Sequence, residues 1–117
     1  ECHLAACDVV VLPYLEASQS GIGSLAISCE RAVVASRVGG LSEMVGEEES
    51  GLLVAPGEPA ALASALLPLL ADRERADAVG VRLRRRALDA GAGWPDVAAA
   101  TLAAYRVARD ARPAGAR

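Results

Sequence analysis

Apolar positions along the chain come in two rhythms. "DVVVLP" (Asp8–Pro13), "AVVAS" (Ala32–Ser36) and "GLLVAP" (Gly51–Pro56) are short continuous runs without alternation. Runs of this kind are read as strands buried on both faces, as in a parallel sheet. Between and after them the spacing becomes helical. From Ser20, apolar residues fall at Ile22, Leu25, Ala26 and Cys29, one face of a helix. "LSEMV" after "RVGG" predicts one or two helical turns, and "EEESG" a loop with its three acids exposed. Pro59 starts a further helix at a position where a missing amide costs nothing. Leu62, Leu66 and Leu69 or Leu70 give that helix its inner face, and Pro68 should kink or end it. The next helix is expected from about Arg73 to Ala90, with Ala76, Val79, Leu83 and Ala87 inward. "GAGWPD" breaks it. A last helix starts near Pro95 with Ala98, Leu102 and Tyr105 on one side, and "RPAGAR" is a frayed tail.

Strands alternating with helices predict βα units. The expected fold is α/β: part of a doubly wound, Rossmann-like parallel sheet, with about three short strands and flanking helices. A sheet so small needs further cover on both faces. The opening "ECHLAACD" reads as the end of a helix already under way, without Met. Both features predict a piece of a larger protein.

Composition narrows the function. The chain has 117 residues, of which 53% are hydrophobic and only 3% aromatic. Its core must come from Ala, Leu and Val. The formal charge of −3 argues against general nucleic-acid binding. The one basic cluster, "RLRRR" (Arg82–Arg86), reads as a solvated helix face. Cys2, Cys7 and Cys29 have neither metal-ligand nor disulfide-framework spacing. They fit a reducing compartment, hence a cytoplasmic location, with Cys7 and Cys29 as buried small hydrophobes. No apolar run reaches the roughly 18 residues of a membrane span. The single histidine, His3, has no local orienting partner, so neither a catalytic triad nor a metal site is expected.

Polar chemistry gathers after the first strand, in "YLEASQSGIG" (Tyr14–Gly23). In an open parallel sheet, ligands sit beyond the carboxyl ends of the strands. There Ser20, Gly21, Ile22 and Gly23 would open a helix, whose first amides lack internal partners and carry the positive end of the dipole. Two readings stand: a phosphate cradle, or a helix cap at Ser20 with an easy turn at Gly21. "SGIG" is neither a dinucleotide fingerprint nor a P-loop. Glu16, just past the strand, is either a carboxylate for sugar hydroxyls or a solvated loop acid. After the second strand, Gly39 and Gly40 allow unusual backbone angles or close approach. Glu43 is either a site residue or an acid favoured by its helix dipole.

The ordered set "CDVVVLPY", "AVVAS", "RVGG", "LSE", "GLLV", "PGEP" closely resembles the C-terminal, donor-binding domain of GT-B fold glycosyltransferases of the retaining, group 1 type. The resemblance covers about residues 5 to 109. It implies a nucleotide-sugar-binding domain over 1–94, a closing helix over 95–112, a tail over 113–117, and an N-terminal acceptor domain outside this chain. It also implies transfer of a sugar, a hexosyl group, from a nucleotide-diphosphate donor without an essential metal. Contact with the inner membrane surface would then be left to the missing domain. Two glutamates with seven residues between them usually hold the donor sugar and its ribose. Here those places fall on Ala17 and Leu25, with Glu16 one position from the first. "EASQSG" is similar to a variant turn in which Ser20 and the amides of Gly21 and Ile22 carry the phosphates and Gln19 reaches a sugar hydroxyl. Because of Leu25, a degenerate scaffold domain that has lost donor binding is the alternative. A dehydrogenase-type dinucleotide domain is a weaker one, since its glycine pattern is absent. The chain by itself is expected to be inactive.

Overall fold

The β-branched runs become three parallel strands in the order β1 (Val9–Leu12), β2 (Ala32–Ser36), β3 (Leu53–Val54). This is a computed structural model, and it describes residues 2–91 and 93–111. The expected tail at 113–117 lies outside the described residues. Register runs Val9 opposite Ala32 to Leu12 opposite Ala35, then Ala35 opposite Leu53 and Ser36 opposite Val54. β2 is central, and all five of its residues are buried. β1 departs from the expected full burial: Val9, Val10 and Val11 are half-buried and only Leu12 is buried. The cause is its edge position, which leaves one side of the strand without a neighbour. β3 is shorter than expected, because Glu47–Leu52 fold into 3-10 turns that meet at Glu49.

Among the described residues the α-helices are α1 (Cys2–Ala6), α2 (Gly21–Ser28), α3 (Gly40–Val45), α4 (Pro59–Ala71), α5 (Arg73–Asp89) and α6 (Trp94–Asp110). α4 continues past Pro68 to Ala71, burying Leu69 while Leu70 stays exposed. α5 buries Ala76, Val79, Gly80 and Leu83, with Ala87 half-buried. α2 is rotated from expectation. Its buried residues are Gly23, Ala26 and Ile27, whereas Ile22 and Leu25 are exposed. Gly23 explains the rotation: a Cβ there would lie 2.6 Å from Met44 Cε and 2.9 Å from Leu12 Cδ1. Met44 fills the place of a side chain on α2, so the helix turns its glycine inward. Cys7 and Cys29 are half-buried rather than buried. Cys7 lies after the last turn of α1, where its thiol donates to Leu4 O, and Cys29 caps the open end of α2.

The chain forms two compact units, residues 1–86 and 87–117. The first holds the sheet. The second contains α6, where Trp94, Leu102 and Tyr105 are exposed. No helix among the described residues is long and apolar enough to cross a membrane.

The basic cluster is not simply a solvated face. Arg82 grips Glu49 through two contacts, of 2.6 and 3.2 Å. Arg84 donates to Glu30 at 2.8 Å. Arg86 donates to Glu48 at 3.2 Å and to the Glu43 and Met44 carbonyls at 2.8 and 3.3 Å. Those carbonyls close the last turn of α3, where a cation meets the negative end of the dipole. The acids of "EEESG" therefore divide: Glu48 is exposed, but Glu49 is half-buried against Arg82. Exposed pairs of this kind contribute about 0–1 kcal/mol each, so their main effect is to fix where α5 lies.

A backbone hydrogen bond within Glu48, and then Arg86, hold the Glu48 carboxyl below its ordinary value. A depressed carboxyl adds stability that is complete above its unfolded value, about 4.3. That stability is lost as pH falls through the folded value. Glu48→Gln should therefore lose less stability than the unaltered chain between neutral pH and acid. Urea midpoints taken across that range measure the difference, and equal acid-side slopes would remove Glu48 from the linkage.

Candidate functional site

Pro13 ends β1, and residues 13–20 cross the carboxyl edge of the sheet as an irregular turn before α2. Ser20 is the N-cap of α2, with extended backbone angles (φ −136°, ψ 107°). Its Oγ accepts from Gly23 N at 3.1 Å, and its carbonyl accepts from Ser24 N at 3.1 Å. The capping reading of Ser20 is thus met. Capping also leaves something over. The amides of Gly21 and Ile22, the first two of the helix, have no acceptor among the described residues. Ser20 Oγ uses a lone pair in the cap and keeps its hydroxyl hydrogen to donate. An exposed pair of N–H groups therefore points out of the positive end of α2.

Gly21 is exposed, and a Cβ built on it would meet nothing within 4 Å. Neither packing nor backbone angle calls for glycine here. Gly39 is the opposite case. Its φ is +45°, and a Cβ on it would overlap the Ala17 carbonyl oxygen. Gly40 N donates to Ser18 O at 3.0 Å. The Gln19 side chain lies over Gly40, with Nε2 3.0 Å from where a Cβ would stand. The turn after β2 is therefore latched against the turn after β1. This latch is the part that sequence reading missed: the glycine pair was visible, but its contacts with Ala17 and Ser18 were not.

The structure thus brings Gln19, Gly39 and Gly40 together beside the cap formed by Ser20, Gly21 and Ile22. Glu16 is exposed in the turn and makes no ion pair among the described residues. Glu43 lies in the first turn of α3, where an acid suits the dipole; its carbonyl accepts from Arg86, and its carboxylate makes no ion pair among the described residues. Leu25 is 39% exposed on the outward side of α2 and offers no polar atom to a ligand. Among the described residues, no three His, Cys, Asp or Glu cluster as metal ligands would.

A helix N-terminus beyond the carboxyl edge of a parallel sheet is common to many nucleotide-handling folds. A narrower assignment comes from comparison. The profile of the family "Glycosyl transferases group 1" matches residues 1–72. The chain belongs to this family. It is 40% identical over 120 residues to D-inositol 3-phosphate glycosyltransferase of Kineococcus radiotolerans, a match covering 96% of this chain and 27% of that protein. It is 37% identical over 109 residues to alpha-maltose-1-phosphate synthase of Mycolicibacterium smegmatis, covering 88% and 28%. Sucrose-phosphate synthase from Thermosynechococcus elongatus superposes with a TM-score of 0.84 at 34% identity, covering 94% of this chain and 27% of that one. The chain therefore spans about a quarter of the length of the relatives it matches. The likeness to a GT-B donor-binding domain, drawn from the ordered motifs, is met in family and in fold.

Proposed function

We propose that this glycosyltransferase chain forms part of the donor site of an enzyme that moves a hexosyl group from a nucleotide-diphosphate sugar to a small phosphorylated acceptor. The observation that carries the reading is the pair of amides at Gly21 and Ile22, which have no acceptor among the described residues and open the helix whose third amide Ser20 caps. In glycosyl transfer the bond from the anomeric carbon to the diphosphate oxygen breaks, and negative charge grows on the departing oxygen. Fixed N–H groups at a helix end stabilise that charge without rearranging. Ser20, Gly21 and Ile22 take the phosphates. Glu16 and Gln19 take hydroxyls of the donor sugar, and Gly39 and Gly40 hold the turn in place, with Glu43 supporting α3 behind it. No residue of this chain is assigned as a catalytic acid or base, and no metal is given a role. The segment before α6 supplies the donor site and α6 (Trp94–Asp110) is the closing helix, in a cytoplasmic protein whose acceptor domain lies elsewhere. The phosphorylated acceptor follows the relatives' names, which speak of D-inositol 3-phosphate, alpha-maltose 1-phosphate and sucrose phosphate.

Leu25 favours a second reading, a scaffold domain of the same fold without donor binding, since a leucine cannot hold a ribose diol. Calorimetry of the full-length protein with UDP, GDP and ADP separates the two. The enzyme reading expects one of them to bind with a Kd of about 1–100 μM, while the 117-residue chain alone gives no turnover. Failure of all three nucleotides to bind would leave the scaffold reading in its place.

A further inference from the structure

A concavity lies in the first unit, between α4, α5 and the 3-10 segment before β3. Its volume is about 240 Å³, and none of the donor-turn residues lines it. That volume lies between the ~150 Å³ of a cavity that takes benzene and the ~300 Å³ at which ligand pockets begin, so it admits a molecule of about ten to fifteen heavy atoms.

The lining is mixed. Leu52, Leu69 and Val79 supply buried apolar groups. Arg75, Val79 and Arg82 follow one another at helical spacing along α5, so the two arginines flank the valine, and Glu49 lines the cavity with them. Glu49 is neutralised by the two contacts from Arg82. Arg75 is different: its backbone amide is capped by Asp72 at 3.0 Å, but its guanidinium makes no ion pair among the described residues. Two guanidiniums and one carboxylate leave the wall with a net positive charge. A further polar feature comes from α4. Pro68 has no N–H, so the Ser64 carbonyl loses the donor that a helix provides four residues on. Ser64 and Pro68 both line the cavity.

We propose that this cavity binds a small organic oxyanion, with its phosphate or carboxylate on Arg75 and its carbon body against Leu52, Leu69 and Val79. The planar guanidinium fork suits either group. A hydroxyl on the ligand would meet the Ser64 carbonyl. The site is independent of the donor turn and does not rest on the function proposed above.

The test is titration of the ¹⁵N-labelled full-length protein with phenyl phosphate, phenylacetate and benzyl alcohol, followed by amide shifts. The expected result is saturable shifts at Gly51, Ser64, Ala65 and Val79 for at least one anion, with a Kd near ~1 mM. Whichever anion binds more tightly names the source as phosphate or carboxylate. Arg75→Gln, an exposed change, should weaken the anion about tenfold at these amides. Ala65→Phe, which fills the cavity, should remove binding altogether; if that variant does not fold, Arg75→Gln decides alone. The proposal is overturned by any of four results: no saturable shift, shifts only at other residues, equal affinity in Arg75→Gln, or benzyl alcohol binding as tightly as the anions.

Discussion

Replacing Gly80 with alanine should lower the stability of the chain by about 1–3 kcal/mol, the range of an overpacked core position. Gly80 lies on the buried face of α5, where the helix crosses the turn between α2 and β2. A Cβ there would overlap the Glu30 carbonyl oxygen and lie 2.5 Å from its carbon and 3.1 Å from Arg31 C. All three are backbone atoms and cannot swing aside. Glu30 also has a left-handed φ of 57°, so the turn has little freedom to move. α5 would have to retreat, partly exposing Ala76, Val79 and Leu83. Alanine's better helix propensity returns only about 1 kcal/mol. With a urea slope of about 1 kcal/mol/M for a chain of this size, the midpoint should fall by about 2 M. Gly51→Ala is the control: a Cβ there meets nothing within 4 Å, and the midpoint should stay put. Equal midpoints for the two variants would show that α5 does not press on the turn as described.

The second large effect concerns the donor turn. Gly21→Val in the full-length protein should weaken nucleotide-sugar binding by about 100-fold or more, because hydrogen bonds to charged groups contribute about 1.5–3 kcal/mol each and two amides are covered at once. Stability should hardly change, within about 0.5 kcal/mol, since the new side chain enters open space. This split between binding and folding would mark Gly21 as a place kept clear for a ligand. Calorimetry with the preferred nucleotide sugar, alongside a urea titration, measures both halves. Undiminished donor affinity in Gly21→Val would end the cradle reading, whatever the enzyme turns out to transfer.

Much of the fold was legible because runs such as "VVVL" and "AVVAS" leave few choices for a chain, and the order of turns between them is informative. Burial was harder to read. On α2, the sets Ile22–Leu25–Ala26 and Gly23–Ala26–Ile27 both obey helical spacing. The second one wins because Met44 packs on Gly23, and a glycine adds nothing to a hydrophobic count. The solvated face of the arginine cluster was legible, but its ion-pair partners were not, because they lie 33 to 54 residues away along the chain. In the candidate site, the polar turn and the glycine pair stood out in the sequence. That Gly40 ties itself to Ser18 O depends on β1 and β2 being neighbours, which no local pattern records.

Trp94 bears on how all this is to be observed. It is the one tryptophan of the chain, it is 85% exposed, and it belongs to the second compact unit while the sheet belongs to the first. An indole already in water has little spectral change left to give when the chain unfolds. Intrinsic fluorescence would therefore stay nearly silent through the collapse of the sheet, and a flat trace could pass for resistance to urea. Far-ultraviolet dichroism, which registers α5 and its neighbours directly, is the signal to follow, and disagreement between the two probes is built into the placement of a single residue.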